Sequence, residues 1–250
     1  MKSTSSLHVG ALRRLAAIDR QLNRTHHTPI ESLGNKADPL DEAIYIILSF
    51  QTDVPRAMEM WSRLRRAFGS WESVERARVS QIAATLREGG LHRQKARTIR
   101  ALLRDVRSLN NSLSLDYLHS LGDSDAERIL LGLPGLSWKG SRCVLLYSLQ
   151  RDVFPVDSNT FRVLKRTGVI PRMAIYRRRE LHDALQAAVT PRRRRSLHVN
   201  LVVHGQRICT PVKPRCQRCP LRDICPKVGV TKMDDSATAL RLSKRVAASA

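Results

Sequence analysis

Acidic residues are scarce in this chain: 22 Asp and Glu stand against 44 Lys and Arg, for a formal net charge of +22. That excess is far beyond what solubility needs and points to a polyanionic partner. Long apolar runs are missing as well. Nothing approaches the roughly 20 residues of a spanning helix, there is no secretory h-region, and no lipidation signal or isolated amphipathic anchor is present. No membrane partner is therefore expected, and nucleic acid stands ahead of a membrane surface as the reading of the charge. Alternation of period two persists nowhere, which excludes a β architecture and leaves an all-α fold. Cysteine is rare, with five in 250 residues, so a distributed disulfide framework is excluded. What remains is ample for folding: 42% hydrophobic residues can build one large or two small domains.

Helical periodicity fills the chain in order. Leu12, Leu15, Ile18 and Leu22 make one stripe in the basic segment Met1 to Pro29, whose arginines and lack of early acids also fit an organelle transit peptide. Asp38-Pro39 reads as an N-cap with proline at the first helical position, opening an apolar helix over Leu40–Leu48. Asp53 can cap the next helix, Val54–Phe68. Further helices are expected over Val79–Arg87, His92–Val106 and Leu115–Leu121, divided by Glu88-Gly89-Gly90 and by the Asn110-Asn111-Ser112 turn. Arg177–Arg179 and Arg192–Arg195 flank a helix over Glu180–Val189, and another runs over Ser196–Gln206. From Arg172 to Lys227 there are 14 Lys or Arg against three acids, a charge run suited to phosphates. The tail from Val228 to Ala250 is expected to be mobile, or a frayed helix over Ala237–Ala247.

The chemistry centres on Leu131–Thr167. Helical patterns over Asp125–Leu133 and Lys139–Leu149 flank the tight turn Leu133-Pro134-Gly135-Leu136, predicting two antiparallel helices joined by a hairpin. The unpaired N–H groups and positive dipole end of the second helix make that turn a natural phosphate site. Lys139 lies there, where the dipole and Arg142 both disfavour an ammonium, so its pKa is expected below the usual value of about 10.4. A neutral lysine is a nucleophile. After the extended piece Val153–Val156, Asp157 opens another helix, followed by Ser158 and Asn159. Taken alone, Asp157 reads as an N-cap and Lys139 as a solvated or phosphate-binding residue. Asp157 can cap and catalyse at once.

Four cysteines follow in the pattern Cys209-x6-Cys216-x2-Cys219-x5-Cys225, a proline-broken segment with little core-forming material. This is a metal or cluster framework, with two disulfides as the structural alternative. Four thiolates suit tetrahedral zinc and a four-iron cluster equally. Cys143 reads as an ordinary buried thiol. His204, one turn before the first ligand, is not needed to complete a four-cysteine site.

Leu133-Pro134-Gly135-Leu136-Ser137-Trp138-Lys139-Gly140, followed by Val156-Asp157-Ser158-Asn159-Thr160, resembles the helix-hairpin-helix and Gly/Pro-Asp signature of the endonuclease III group of DNA base-excision glycosylases. The likeness runs from about Asp38 to Lys227. It departs at Ser137, where the family usually has a second glycine, at Trp138, and at Asn159, where the best-known members have histidine. The resemblance implies a two-lobed, all-α fold with Lys139 and Asp157 as the active-site pair. It implies DNA contacts from Leu133, Pro134, Gly135, Leu136 and Ser137 of the hairpin. Leu48–Asp53 resembles the family loop whose glutamine fills the space left by an extruded nucleotide, which gives Gln51 that role. Gly90–Ala96 resembles Gly-Leu-x-x-x-Lys-Ala, which makes Leu91 a candidate wedge, although sequence alone favours a buried leucine behind a capping glycine. The 6-2-5 cysteine spacing matches the family's cluster loop, which implies that Cys209, Cys216, Cys219 and Cys225 hold a [4Fe–4S] cluster of structural role. Lys213, Arg215 and Arg218 would then lie against the DNA backbone.

The implied function is a glycosylase that flips a damaged base, with oxidised pyrimidines expected, and also cleaves at abasic sites through a lysine Schiff base. Relatives specific for adenine opposite oxidised guanine generally lack the lysine. Two other readings stay open at this point: a monofunctional or mismatch-specific glycosylase working through water, and a non-catalytic binder of DNA structure. The expected partner is double-stranded DNA containing a damaged base or abasic site, bound by a monomer. The expected location is the cytoplasm, with the nucleoid, in a bacterium. The expected domains are a helical barrel over 28–151, a cluster domain from 1–27 plus 152–228, and a basic tail over 229–250.

Overall fold

A computed structural model of the chain describes residues 7–26 and 33–230. The tail beyond Val230, including the helix expected over Ala237–Ala247, lies outside them. The described residues form eleven α-helices with short 3₁₀ turns and no strand. None of those helices is long and apolar enough to cross a membrane.

The chain divides into two compact units. The larger comprises Thr28–Val156 and Arg177–Val199; the smaller comprises Met1–His27, Asp157–Tyr176 and Asn200–Ala250. Arg177–Val199, grouped with the cluster part by the sequence boundaries, belongs instead to the larger unit. Its side chains explain why: Asp183 pairs with Arg142, the Gln186 Oε1 accepts from Phe154 N at 3.0 Å, and Arg195 Nη2 donates to Leu146 O at 2.5 Å. Arg194 likewise donates to Asp152 O. Arg194 and Arg195 therefore satisfy backbone carbonyls of their own unit, where the charge run had suggested phosphates.

Helix α1, Val9–Thr25, belongs to the smaller unit. In the larger unit the organising element is α2, Pro39–Ser49, whose residues from Leu40 to Leu48 are buried apart from Asp41. The Asp38 Oδ1 accepts from Asp41 N at 2.8 Å and Pro39 starts the first turn, as the sequence predicts. Around α2 pack α3, Val54–Phe68, α6, His92–Asn110, and α8, Trp138–Tyr147. The shorter α4, Trp71–Arg76, and α5, Val79–Thr85, lie against α6, and α7, Asp123–Gly132, lies against α8. Each fully buried Leu or Ile here contributes about 1.5–3 kcal/mol. Helix α4 was not expected. At six residues it is too short for periodicity to register, and its signal was Ser70, whose hydroxyl accepts from Ser73 N at 3.3 Å as the N-cap.

In the smaller unit, Leu15, Ile18 and Leu22 of the predicted α1 stripe are buried, whereas Leu12 is exposed and Ala11 takes the buried place beside it. Arg14 on the same helix reaches the end of α9, Ser158–Arg166, donating to Thr167 O at 3.3 Å and Gly168 O at 3.2 Å. These carbonyls lie at the negative end of the helix dipole, where a cation is favoured. Helix α10, Arg179–Ala188, belongs to the larger unit, and α11, Pro191–Arg207, is divided between the two. Its final turns lead into the cysteine segment.

Candidate functional site

The predicted hairpin is present. Leu133 closes α7, Leu136 N donates to Leu133 O at 3.2 Å, and Ser137 stands at the N-cap of α8. Leu133 and Leu136 are buried, so they anchor the turn to the core and leave Gly135 and Ser137 exposed. Gly135 has φ +84°, and a Cβ there would lie 2.5 Å from Thr98 Cγ2 and 3.0 Å from Ile47 Cγ1. Both the backbone conformation and the space therefore demand glycine. Trp138 lies beneath the guanidinium of Arg179, 5.0 Å from the ring centroid.

Lys139 is half-buried in the first turn of α8. The sequence expectation that Arg142 would repel its ammonium needs correction. The Arg142 side chain is buried and paired with Glu127, whose Oε1 lies 2.7 Å from its Nε, and with Asp183. Its charge is thus offset by two carboxylates. A residue that sequence reasoning passed over lies within electrostatic reach of Lys139. Glu42 on α2 is fully buried and accepts from Lys36 N at 2.7 Å and Asn35 Nδ2 at 2.6 Å. Burial pushes its carboxyl up to about 7, against those hydrogen bonds and the charge of Lys139.

Asp157 caps α9, its Oδ1 accepting from Thr160 N at 2.7 Å. Its Oδ2 accepts from the Asn159 amide, also at 2.7 Å. The Asn159 Oδ1 in turn accepts from Arg162 Nη2 at 2.8 Å, and Arg162 Nε donates to Cys209 O at 2.8 Å. Asn159 thus fixes one carboxylate oxygen while Arg162 ties α9 to the first cysteine's backbone. Gly205 permits this approach, since a Cβ there would lie 2.6 Å from that of Asn159. Lys139 belongs to the larger unit and Asp157 to the smaller.

Gln51 and Leu91 occupy adjacent loops of the larger unit. Both are exposed and both hold left-handed backbones with φ +50°. Leu91 is 42% exposed, which corrects the sequence-only reading of a buried leucine. Such conformations are costly for residues with a side chain and persist where surrounding contacts enforce them.

The four cysteines of 209–225 are half-buried and free of disulfides, so the disulfide alternative is overturned. Burial, reinforced by Cys209, Cys225 and Cys216, pushes the Cys219 thiol up to about 11. The four sulfurs therefore lie within electrostatic reach of one another. Arg166 Nη1 lies 3.4 Å from Cys209 Sγ, Lys227 N lies 3.4 Å from Cys225 Sγ, and His204 Nε2 lies 3.6 Å from Cys219 Sγ. Such donors stabilise metal-bound thiolates. His204 is buried, and burial lowers its pKa to about 4, so it is a neutral ring. Lys213, Arg215 and Arg218 are exposed on this loop, and Cys143 is buried on α8.

Residues 44–187 match the model of the HhH-GPD superfamily base excision DNA repair protein. The chain belongs to that family. Within the HhH-GPD superfamily it is of endonuclease III type, because residues 209–225 match the iron–sulfur binding domain of endonuclease III. It is similar to the DNA glycosylase/AP lyase ROS1 of Arabidopsis thaliana, 28% identical over 170 residues. That match takes in 62% of this chain and 13% of ROS1, so the chain spans only a small part of that relative. Endonuclease III of Sulfolobus acidocaldarius is 26% identical over 181 residues, covering 72% of this chain and 78% of its own. Among solved structures, a non-covalent endonuclease III–DNA complex shares the fold with a TM-score of 0.74 at 20% identity, over 88% of this chain and 97% of that one.

For this HhH-GPD member, the donor set fits an iron–sulfur group. Four free, half-buried cysteines on one loop, with Arg166 and Lys227 beside two of their sulfurs, supply the thiolates that such a group takes, and they span the residues that match the iron–sulfur binding domain.

Proposed function

We propose that this chain is a bifunctional DNA glycosylase and abasic-site lyase that acts as a monomer on duplex DNA carrying damaged, oxidised pyrimidines. One observation carries the reading: a lysine in the first turn behind a glycine-locked hairpin, in the same chain as an aspartate whose oxygens are held by Thr160 and Asn159. A simple N-cap accounts for the Thr160 bond and leaves the Asn159 amide on the second carboxylate oxygen unexplained.

The base must leave the stack before its sugar can be reached, at a cost of a few kcal/mol that weak pairing lowers. Gln51 and Leu91 fill the gap. The neutral amine of Lys139 attacks C1′ as the base departs, and the anionic Asp157 stabilises positive charge on the sugar. The nitrogen then gives up a proton, its lone pair opens the C1′–O4′ bond and O4′ is protonated to a hydroxyl, which leaves a protonated Schiff base between Lys139 and C1′. Removal of a C2′ proton then expels the 3′ phosphate by β-elimination. Cys209, Cys216, Cys219 and Cys225 hold a [4Fe–4S] cluster, which when bound fixes the loop bearing Lys213, Arg215 and Arg218 against phosphates.

Borohydride trapping on duplexes with an oxidised pyrimidine or an abasic site tests this, with Lys139→Gln beside wild type. A covalent complex from wild type alone is expected. Wild type that releases base without trapping would instead be a glycosylase using water. Wild type that binds and does neither would be a DNA-structure binder.

A further inference from the structure

The loops carrying Gln51 and Leu91 meet at a buried cation. Lys95, in the first turn of α6, is 3% exposed. Its Nζ donates to Leu48 O at 2.8 Å, to Thr52 Oγ1 at 2.5 Å and to Gly89 O at 3.2 Å. All three protons of the ammonium are thereby used. Thr52 Oγ1 completes the link, donating to Gly89 O at 2.9 Å. Leu48 lies in the last turn of α2, so the cation also sits at the negative end of that helix dipole. A buried lysine is rare because its charge must leave water, and burial here lowers its pKa to about 8. Among the described residues its partners are two carbonyls and a hydroxyl and no carboxylate, all in the segments adjoining Gln51 and Leu91.

We infer that Lys95 is a positioning residue that clamps the Gln51 and Leu91 loops together, presenting both side chains as one rigid wedge for the gap left by a flipped nucleotide. The inference rests on the reading above for what those two side chains do. Three features agree with it. Gln51 is three residues beyond one carbonyl and next to the hydroxyl, while Leu91 is two residues beyond the other carbonyl. Both hold left-handed backbones that need outside enforcement. Gly89 is closed in from behind, since a Cβ there would lie 2.0 Å from Met60 Sδ. The joint therefore has no slack on either side. An apolar residue at position 95 would strand the Leu48 carbonyl and leave the Thr52–Gly89 bond to hold the joint without the charged group, so the loops would loosen.

The test uses the full chain and a duplex with a non-cleavable abasic analogue beside 2-aminopurine, whose fluorescence rises when stacking is broken. Lys95→Met, and the milder Thr52→Val, should weaken binding about tenfold, as expected for a lost hydrogen bond to a charged group. Both should also depress the fluorescence rise. In a Gln51→Ala/Leu91→Ala background neither should cost anything further, because the clamp then has nothing to position. An equal loss in both backgrounds, no loss in either, or no fluorescence rise with wild type would overturn the inference. The analogue cannot be cleaved, so the readout is independent of lyase chemistry. Wild type that gives the fluorescence rise but never traps an abasic site would sink only the bifunctional reading.

Discussion

Gly135→Ala isolates the demands that the hairpin places on one atom. The first is conformational: at φ +84° an L-residue costs about 1–2 kcal/mol more than glycine. The second is steric, because the new Cβ would lie 2.5 Å from Thr98 Cγ2 and 3.0 Å from Ile47 Cγ1. Overpacking of this kind costs about 1–3 kcal/mol. Together the variant should lose about 2–5 kcal/mol of stability. Gly69 supplies the control, since it ends α3 with φ +70° and nothing lies within 4 Å of its Cβ position. Gly69→Ala should therefore lose only a conformational part, that of a positive φ with ψ −43°. Adding Thr98→Ser to Gly135→Ala removes the clashing methyl and should recover much of the steric part. Guanidinium unfolding followed by circular dichroism measures all three, and the trapping rate at an abasic site reports whether α8 has shifted. Equal losses for Gly135→Ala and Gly69→Ala, or no recovery with Thr98→Ser, would refute the steric argument.

The other predictions concern charges and the cluster. Arg142→Met leaves Glu127 without its buried partner; a fully buried pair would cost about 3–5 kcal/mol, but the exposure of Asp183 reduces the expected loss to about 2–3 kcal/mol by denaturant titration. Glu42 has its folded pKa raised to about 7, so the stability it contributes is fully present below the unfolded value of about 4.3 and is lost as pH rises through 7. Unfolding free energies of Glu42→Gln measured from pH 4 to 8 should therefore decline less with pH than those of wild type, and an unchanged slope would show that Glu42 does not titrate in that window. Asn159→Leu takes one donor from Asp157 Oδ2 and should slow single-turnover base release about tenfold, the rate equivalent of a hydrogen bond to a charged group. Cys216→Ser should abolish visible absorbance and bound iron in the purified chain, whereas iron content equal to wild type would remove this cysteine from the ligand set.

Legibility in the sequence followed the range of the interactions. Asp38-Pro39 and Asp53 announce their helices because a cap bonds to a backbone group only three residues away. Gly135 was readable as a turn for the same local reason. Lys95, Arg142 and Glu42 were not, because charged residues are ordinarily solvated and nothing nearby in sequence marks a buried one. The partners of Arg142 lie 15 and 41 residues away, so assigning its influence to Lys139 from sequence proximity misjudged the field there. Similarly, the Arg177–Arg195 region reads as a uniform phosphate surface until Arg194 and Arg195 are seen bonded to carbonyls of Asp152 and Leu146. Lys139 and Asp157 could be singled out only by resemblance, since each alone has an ordinary structural use.

The division of the chain has a consequence for its synthesis. Helix α1 leaves the ribosome well before the other segments of its unit, Asp157–Tyr176 and Asn200–Ala250. At about 5–20 residues per second, the chain between α1 and Asp157 takes roughly seven to twenty-six seconds to emerge. Through that interval the stripe of Leu15, Ile18 and Leu22 has no native surface to cover it, while most of the larger unit is already available to fold. Nascent chains are thus most exposed to aggregation or proteolysis through their N-terminal helix, and a chaperone that shields early apolar segments should raise the yield of this protein more than slower synthesis would.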